Sequence, residues 1–217
     1  MQVGAFFDLD LTLLSVNSGA LWFRRERRLG RLSRAQYARA VVYLLLYRAN
    51  LLNMDEAMRE ALATIRGQSE ETLRRLTEQW YEEEVAAHFA PGGVRAVEAH
   101  RRHGHRLVLL TSASSYEAEL AAEQLGMDGW LSSTYEVRDG CFTGEPMFPI
   151  CYGEGKVRHA ERYAEEHGVD LARSYFYSDS ASDLPMLRRV GEPRVVNPDV
   201  RLKWHARRKG WPILDWS

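Results

Sequence analysis

The sequence predicts an α/β fold, in which short apolar strands form a parallel sheet and an all-helical segment is inserted after the first strand. Three observations carry this. Continuous apolar runs at VGAFF (3–7), RLVLLTS (106–112), SYFYSD (174–179) and EPRVVN (192–197) suit strands buried on both faces. Helical patterns such as YEAELAAEQLG and KVRHAERYAEEHG separate the later runs, the alternation expected of a parallel sheet. Residues 18 to about 90 break that rhythm and read as helix after helix.

The helical stretch divides into SGALWFRRERRLG, SRAQYARAVVYLLLYRAN, MDEAMREALATIRG and SEETLRRLTEQWYEEEVAAHF. Ser33 and Gln36 are spaced as a capping box. Gly30, Gly67, Gly104, Gly126 and Gly168 are placed as C-terminal caps. The expected division is a sheet-forming core of residues 1–14 and 91–217, with a helical cap of 15–90. TYEVRDGCFTGE (134–145), with Asp139-Gly140 at its turn, reads as a hairpin projecting from the core near the active end of the sheet.

With 217 residues the chain can bury a proper core, and 45% hydrophobic residues, 27% charged residues and a formal net charge of −1 describe an ordinary globular protein. That balance gives no sign of a nucleic-acid partner. The longest apolar run, AVVYLLLY at 40–47, falls far short of the roughly 20 residues that span a bilayer, so no stable membrane association is expected. It reads as a packed cap helix. Cys141 and Cys151 lack metal-site spacing and fit a reducing cytoplasm; neither is given a role.

Chemistry collects at strand ends. FFDLDLTLL (6–14) places Asp8 and Asp10 in an otherwise apolar run, where an unpaired buried carboxylate is costly. With a period of two, Asp8, Asp10 and Thr12 face one way until the strand bends. Ligands of open parallel sheets bind at the carboxyl ends of the strands, and the other ends are polar as well: Thr111-Ser112-Ala113-Ser114-Ser115 and Ser178-Asp179-Ser180-Ala181-Ser182-Asp183. Several carboxylates meeting there call for a hard divalent cation, and Mg²⁺ suits few carboxylates, waters and a phosphate. Lys156 adds a fixed positive charge, while Ser112 and neighbouring N–H groups at a helix start add neutral donors. Together these describe a phosphoryl site.

DLDLT at 8–12 resembles the DxDxT signature of the haloacid dehalogenase-like (HAD) superfamily, with its Rossmann-like core. Ser112 in LLTSAS, Lys156 in GEGK, and Asp179 with Asp183 in YSDSASDLPML match the remaining motifs in order. The helical insertion and the ending VVNPDVRLKWHARRKGWPILDW resemble the phosphoserine-phosphatase-like subfamily. The resemblance implies a Mg²⁺-dependent phosphatase acting on a small phosphorylated metabolite, with Asp8 as nucleophile and Asp10 as acid and base. It implies metal held by the Asp8 and Asp179 carboxylates and the Asp10 backbone carbonyl, and phosphate held by Ser112 and Lys156. Asp183 is expected to order metal water or Lys156, and Thr12 to fix the loop. Asn17, Ser18, Ala113 and Ser180 are expected at the substrate or just behind it.

Two positions depart from the pattern. Leu11 stands where the family usually has a small residue, and Asn17 stands where phosphoserine phosphatases usually carry a glutamate for the substrate amine. Histidinol phosphate or a lipid phosphate are therefore alternative substrates, and a phosphotransferase or an inactive phosphate-binding module are alternative functions. GEGK is no P-loop, because Ile150 and Val157 occupy positions that need Gly and Ser or Thr. Arg24, Arg25, Arg27, Arg28, Arg31 and Arg34 read as a solvated cap face. His100, His103 and His105 read as residues near a helix end, not as metal ligands.

Overall fold

The computed structural model describes residues 1–48 and 51–216. The chain forms two compact units: residues 1–16, 88–134 and 148–217 in the first, and 17–87 and 135–147 in the second.

The first unit is built on a six-stranded sheet. Its strands are β1 (Gly4–Phe7), β2 (Arg106–Ser114), β3 (Gly129–Ser133), β6 (Tyr175–Ser178), β7 (Glu192–Val196) and β8 (Ile213–Leu214), in the order β3-β2-β1-β6-β7-β8. Every pairing is parallel. The register aligns Val108, Phe6 and Phe176 in one row across the sheet. This row is buried with residues from the helices α7 (Glu154–His167), α8 (Leu184–Arg189) and α9 (Val200–Lys209), including Ala160, Met186, Leu187 and Leu202. The alternate residues serve the other face, where Phe7 stacks on Tyr177 at 4.7 Å and Tyr177 stacks on Trp216. Helix α5 (Pro91–Arg102) starts at a Pro-Gly-Gly step, and a Cβ on Gly92 would lie 2.5 Å from the Trp216 ring, so this close approach requires glycine.

Strand order reverses at β1, whose neighbours are β2 on one side and β6 on the other. This is the switch point at which open α/β sheets bind ligands, and Asp8 follows the last residue of β1. The strand ends at Phe7, where its apolar run VGAFF ends. Leu9–Leu13 forms a tight turn in which Leu9, Thr12 and Leu13 are all buried, so the two-residue alternation expected of Asp8, Asp10 and Thr12 stops at Phe7. Leu11 lies in the left-handed region at φ 56° and donates its N–H to Val16 O at 3.2 Å. A side chain costs energy in that conformation.

The second unit holds α1 (Ser18–Arg28), α2 (Arg34–Arg48), α3 (Met54–Ala63) and α4 (Glu70–Glu84), with the hairpin β4 (Tyr135–Arg138) and β5 (Cys141–Pro146). The hairpin was expected with the core and instead belongs here. Its edge pairs with the connection from α3 to α4: Gly67 N–H donates to Phe142 O at 2.8 Å, Phe142 N–H to Gln68 O at 3.0 Å, and Glu70 N–H to Gly140 O at 2.9 Å. Those bonds satisfy an edge that would otherwise be open. Asp139 and Gly140 both have positive φ, as a two-residue hairpin turn requires. The Ser33 and Gln36 capping box forms in both directions.

Two expectations for this unit change. The arginines are not simply a solvated face: Arg25 is buried and paired with Glu83 at 2.5 Å and Glu84 at 3.0 Å, which ties α1 to α4. Arg28 also pairs with Glu84, and Arg31 with Glu26. The apolar run in α2 is only partly packed. Ala40 is buried, whereas Val42 is 51% and Leu45 62% exposed. Among the described residues no helix is long and apolar enough to cross a membrane, and Cys141 and Cys151 are free thiols.

Candidate active site

At the switch point the first unit brings acids from two segments, the turn after β1 and the loop after β6, to one lysine. Asp8 leaves β1 with its N–H donating to Tyr177 O of β6 at 2.9 Å. Lys156 lies in the first turn of α7, and its Nζ donates to Asp8 Oδ1 and to Asp183 Oδ2, each at 2.8 Å. All three are buried, with Lys156 2%, Asp8 6% and Asp183 1% exposed. A lysine so deeply buried is stable only when ion-paired and hydrogen-bonded. Its depth depends on a neighbour: a Cβ on Gly155 would stand 1.8 Å from Ile150 O, so glycine lets the α7 start press against that carbonyl.

Asp179 follows β6 directly, and Thr12 Oγ1 donates to its Oδ1 at 3.4 Å. The 179–183 loop is held from behind. Asp199 accepts from Ala181 N at 2.6 Å and from Leu202 N at 2.8 Å, while its own N–H donates to Asp179 O. Ser180 caps the following turn by accepting from Ser182 N.

Charge in this cluster is unbalanced. Asp8, Asp10, Asp179 and Asp183 act on one another electrostatically, with Lys156 as the cation among them. Burial lifts the Asp8 carboxyl to about 7, and the charges of Asp183 and Asp10 add to the rise while Lys156 opposes it. Burial, then repulsion from Asp8 and Asp183, holds Asp179 well above the ordinary carboxylate range. Among the described residues, Asp183 Oδ1 is buried with no hydrogen-bond partner. Excess negative charge among hard oxygen donors fits a divalent cation of the Mg²⁺ type.

The other expected residues take varied places. Ser112 is half-buried in β2, three residues beyond Leu109, which pairs with Phe7. Ala113, expected at the substrate or just behind it, donates its N–H to Thr111 Oγ1 at 3.1 Å. Ser114 caps α6 (Ser115–Gln124) by accepting from Glu117 N. Asp10 is half-buried in the turn after β1. Asn17 and Ser18 belong to the second unit, where Asn17 Oδ1 accepts from Ala20 N at 2.9 Å and caps α1. That fold role follows from an Asn placed directly before a helix.

The three histidines form no metal cage: among the described residues no three His, Cys, Asp or Glu side chains group to hold a metal. The set implied for Mg²⁺ needs only two carboxylates and a carbonyl. His100 bonds His105 through the Nδ1 atoms at 2.7 Å and Tyr177 Oη through Nε2 at 2.8 Å.

The model for haloacid dehalogenase-like hydrolases matches residues 5–188, which contain the whole cluster. The chain belongs to this family. It is 34% identical to a protein named phosphoserine phosphatase SerB1 from Mycobacterium tuberculosis, over 99% of this chain and 71% of that one. It is 30% identical to a histidinol-phosphatase of Neisseria meningitidis, over 98% of both chains. A solved structure titled as a phospho-aspartyl intermediate analogue of phosphoserine phosphatase matches with a TM-score of 0.73 at 16% identity, covering 100% of this chain and 94% of that one, a likeness of fold.

Two contributors have no role assigned from sequence. Ser178 donates to Asp183 Oδ2 at 2.7 Å, and Asp199 braces the 179–183 loop. Each had a local signal, a serine at a strand end and an aspartate directly before a helix.

Proposed function

We propose that this HAD hydrolase is a phosphatase cleaving a small phosphomonoester through an aspartyl-phosphate on Asp8. The observation that carries the reading is the buried Lys156 ammonium bridging Asp8 and Asp183 at the carboxyl end of β1. An ammonium there draws a phosphate to the nucleophile and offsets charge spread over the equatorial oxygens in the transition state. Ser112, at the end of the adjacent strand, supplies a neutral donor to the same oxygens.

In the first step an Asp8 carboxylate oxygen bonds to phosphorus as the ester P–O bond breaks, and Asp10 gives its proton to the departing alcohol oxygen. In the second, water attacks the phosphorus of the aspartyl-phosphate, Asp10 takes the water's proton, and inorganic phosphate leaves with the Asp8 carboxylate restored. The Asp8 and Asp179 carboxylates and the Asp10 backbone carbonyl would hold Mg²⁺, which when bound supplies the positive charge that keeps both carboxylates ionised. Thr12 holds Asp179, and Asp183 holds Lys156.

The helical second unit, which carries Asn17 and Ser18, is read as the cap domain that the family resemblance implies. Asn17 carries no negative charge where phosphoserine phosphatases usually have a glutamate, so phosphoserine is one candidate and histidinol phosphate another. The two named relatives make these the first substrates to test. Free thiols fit a cytoplasmic setting.

A phosphate-release screen over amino-alcohol, sugar, histidinol and lipid phosphates tests the proposal. Release confined to small monoesters and abolished by EDTA is expected. Release that survives EDTA unchanged would overturn the metal assignment, and preference for a lipid phosphate would replace the substrate class.

A further inference from the structure

We propose that Ser178 is a positioning residue for Lys156, acting through Asp183; the inference rests on the phosphatase reading of the site. Ser178 ends β6, opposite Val195 of β7, and is completely buried. Its hydroxyl makes two bonds with opposite roles, donating to Asp183 Oδ2 at 2.7 Å and accepting from Ser180 N–H at 3.1 Å. A hydroxyl has one proton, and the Ser180 amide must be the donor in its own bond, so the Ser178 proton is committed to Asp183.

The bond falls on the oxygen that matters. Asp183 Oδ2 also receives the Lys156 ammonium at 2.8 Å, while Asp183 Oδ1 has no hydrogen-bond partner among the described residues. The carboxylate is thus oriented from one side by Ser178, anchored in the strand, and holds Lys156 on the other. Lys156 in turn reaches Asp8 Oδ1. The relay runs from strand β6 through a neutral hydroxyl to an acid, from the acid to the ammonium, and from the ammonium to the nucleophile. Without the hydroxyl, Asp183 has no side-chain donor among the described residues other than Lys156 itself, and its torsions are free to carry the ammonium off the line to Asp8. Small misplacements of this kind cost rate more than binding.

The test is a double-mutant cycle of Ser178→Ala and Asp183→Asn in the metal-loaded enzyme, with a crystal structure of Ser178→Ala. Ser178→Ala is expected to lower kcat about 10-fold while KM stays within about 2-fold, and to add no further loss in the Asp183→Asn background. Ser178→Thr, which keeps the hydroxyl, is expected to retain most of kcat. If Ser178→Ala melts below the assay temperature, Ser178→Cys replaces it, keeping the volume without the strong donor. In the variant crystal one of the two Lys156 contacts is expected to open beyond hydrogen-bond distance. Unchanged kcat, or losses that multiply in the double variant, would overturn the proposal, as would both Lys156 contacts kept in the crystal. A wild-type protein releasing no phosphate from any monoester would remove the phosphatase reading instead, and the crystal contacts would then decide the relay on their own.

Discussion

Replacing Lys156 by Met should reveal how much of the site's charge one ammonium holds in check. The two Nζ···O distances of 2.8 Å correspond to roughly 6 kcal/mol of gross attraction each at an effective dielectric of about 20, most of it offset by desolvation. Removing one partner of a buried pair costs about 3–5 kcal/mol, a large share of a domain's 5–15 kcal/mol. The loss should depend on pH. The Asp8 carboxyl stands at about 7 against its ordinary 3.8, so between those values the folded protein holds a proton that the unfolded chain has released. Wild-type stability therefore falls as pH rises through this window. Lys156 opposes the rise, so without it the window extends above pH 7. Urea unfolding of both proteins in EDTA should give the widest gap at pH 8 and a narrower one at pH 5, where Asp8 is protonated in each. A gap below about 1 kcal/mol, or an equal gap at both pH values, would refute the view that Lys156 compensates buried carboxylates.

Three further outcomes follow from other parts of the first unit. Burial and the nearby charges of His105 and His103 depress His100 from 6.5 to about 4; the unfolded chain then takes up the proton first, and about 3 kcal/mol of stability is lost as pH falls from 6.5 towards 4. His100→Gln should remove that part of the acid slope in urea titrations, and an unchanged slope would exclude His100 as its source. Gly155→Ala drives a Cβ against Ile150 O, displacing the turn that carries Lys156; kcat should fall at least about 10-fold, and wild-type turnover would show that the α7 start can move without harm. Leu11→Gly relieves the left-handed strain at φ 56° and should raise stability by about 0.5–1 kcal/mol, whereas a loss would mean that Leu11 packing outweighs the strain.

Those residues also show what the sequence makes legible. The parallel core was readable because strands buried on both faces leave unbroken apolar runs, and the acid cluster of the candidate site was readable because its acids interrupt or directly follow them. Lys156 could be assigned a charge role from sequence, but its burial between Asp8 and Asp183 depends on tertiary contact. Strands β3 and β8 escaped notice: GWLSS is short and half polar, and β8 has two residues, so neither carries a periodic signal. The hairpin was found from its Asp-Gly turn, yet its home was misjudged, because backbone bonds to residues 67–70 leave no mark in side-chain pattern. Asn17 was read for a missing charge, while its hydrogen bond serves a helix start. Arg25 looked like one of a solvated series, and only the approach of Glu83 and Glu84 from α4 distinguishes it.

The central claim is that Asp8 carries the phosphoryl group between substrate and water. Intact-mass analysis of enzyme quenched by acid during turnover, followed by peptide mapping, tests this most directly. One phosphoryl group on Asp8 is expected, disappearing together with phosphate release in Asp8→Asn. A phosphoryl group on another residue, or phosphate release that persists in Asp8→Asn, would contradict the mechanism.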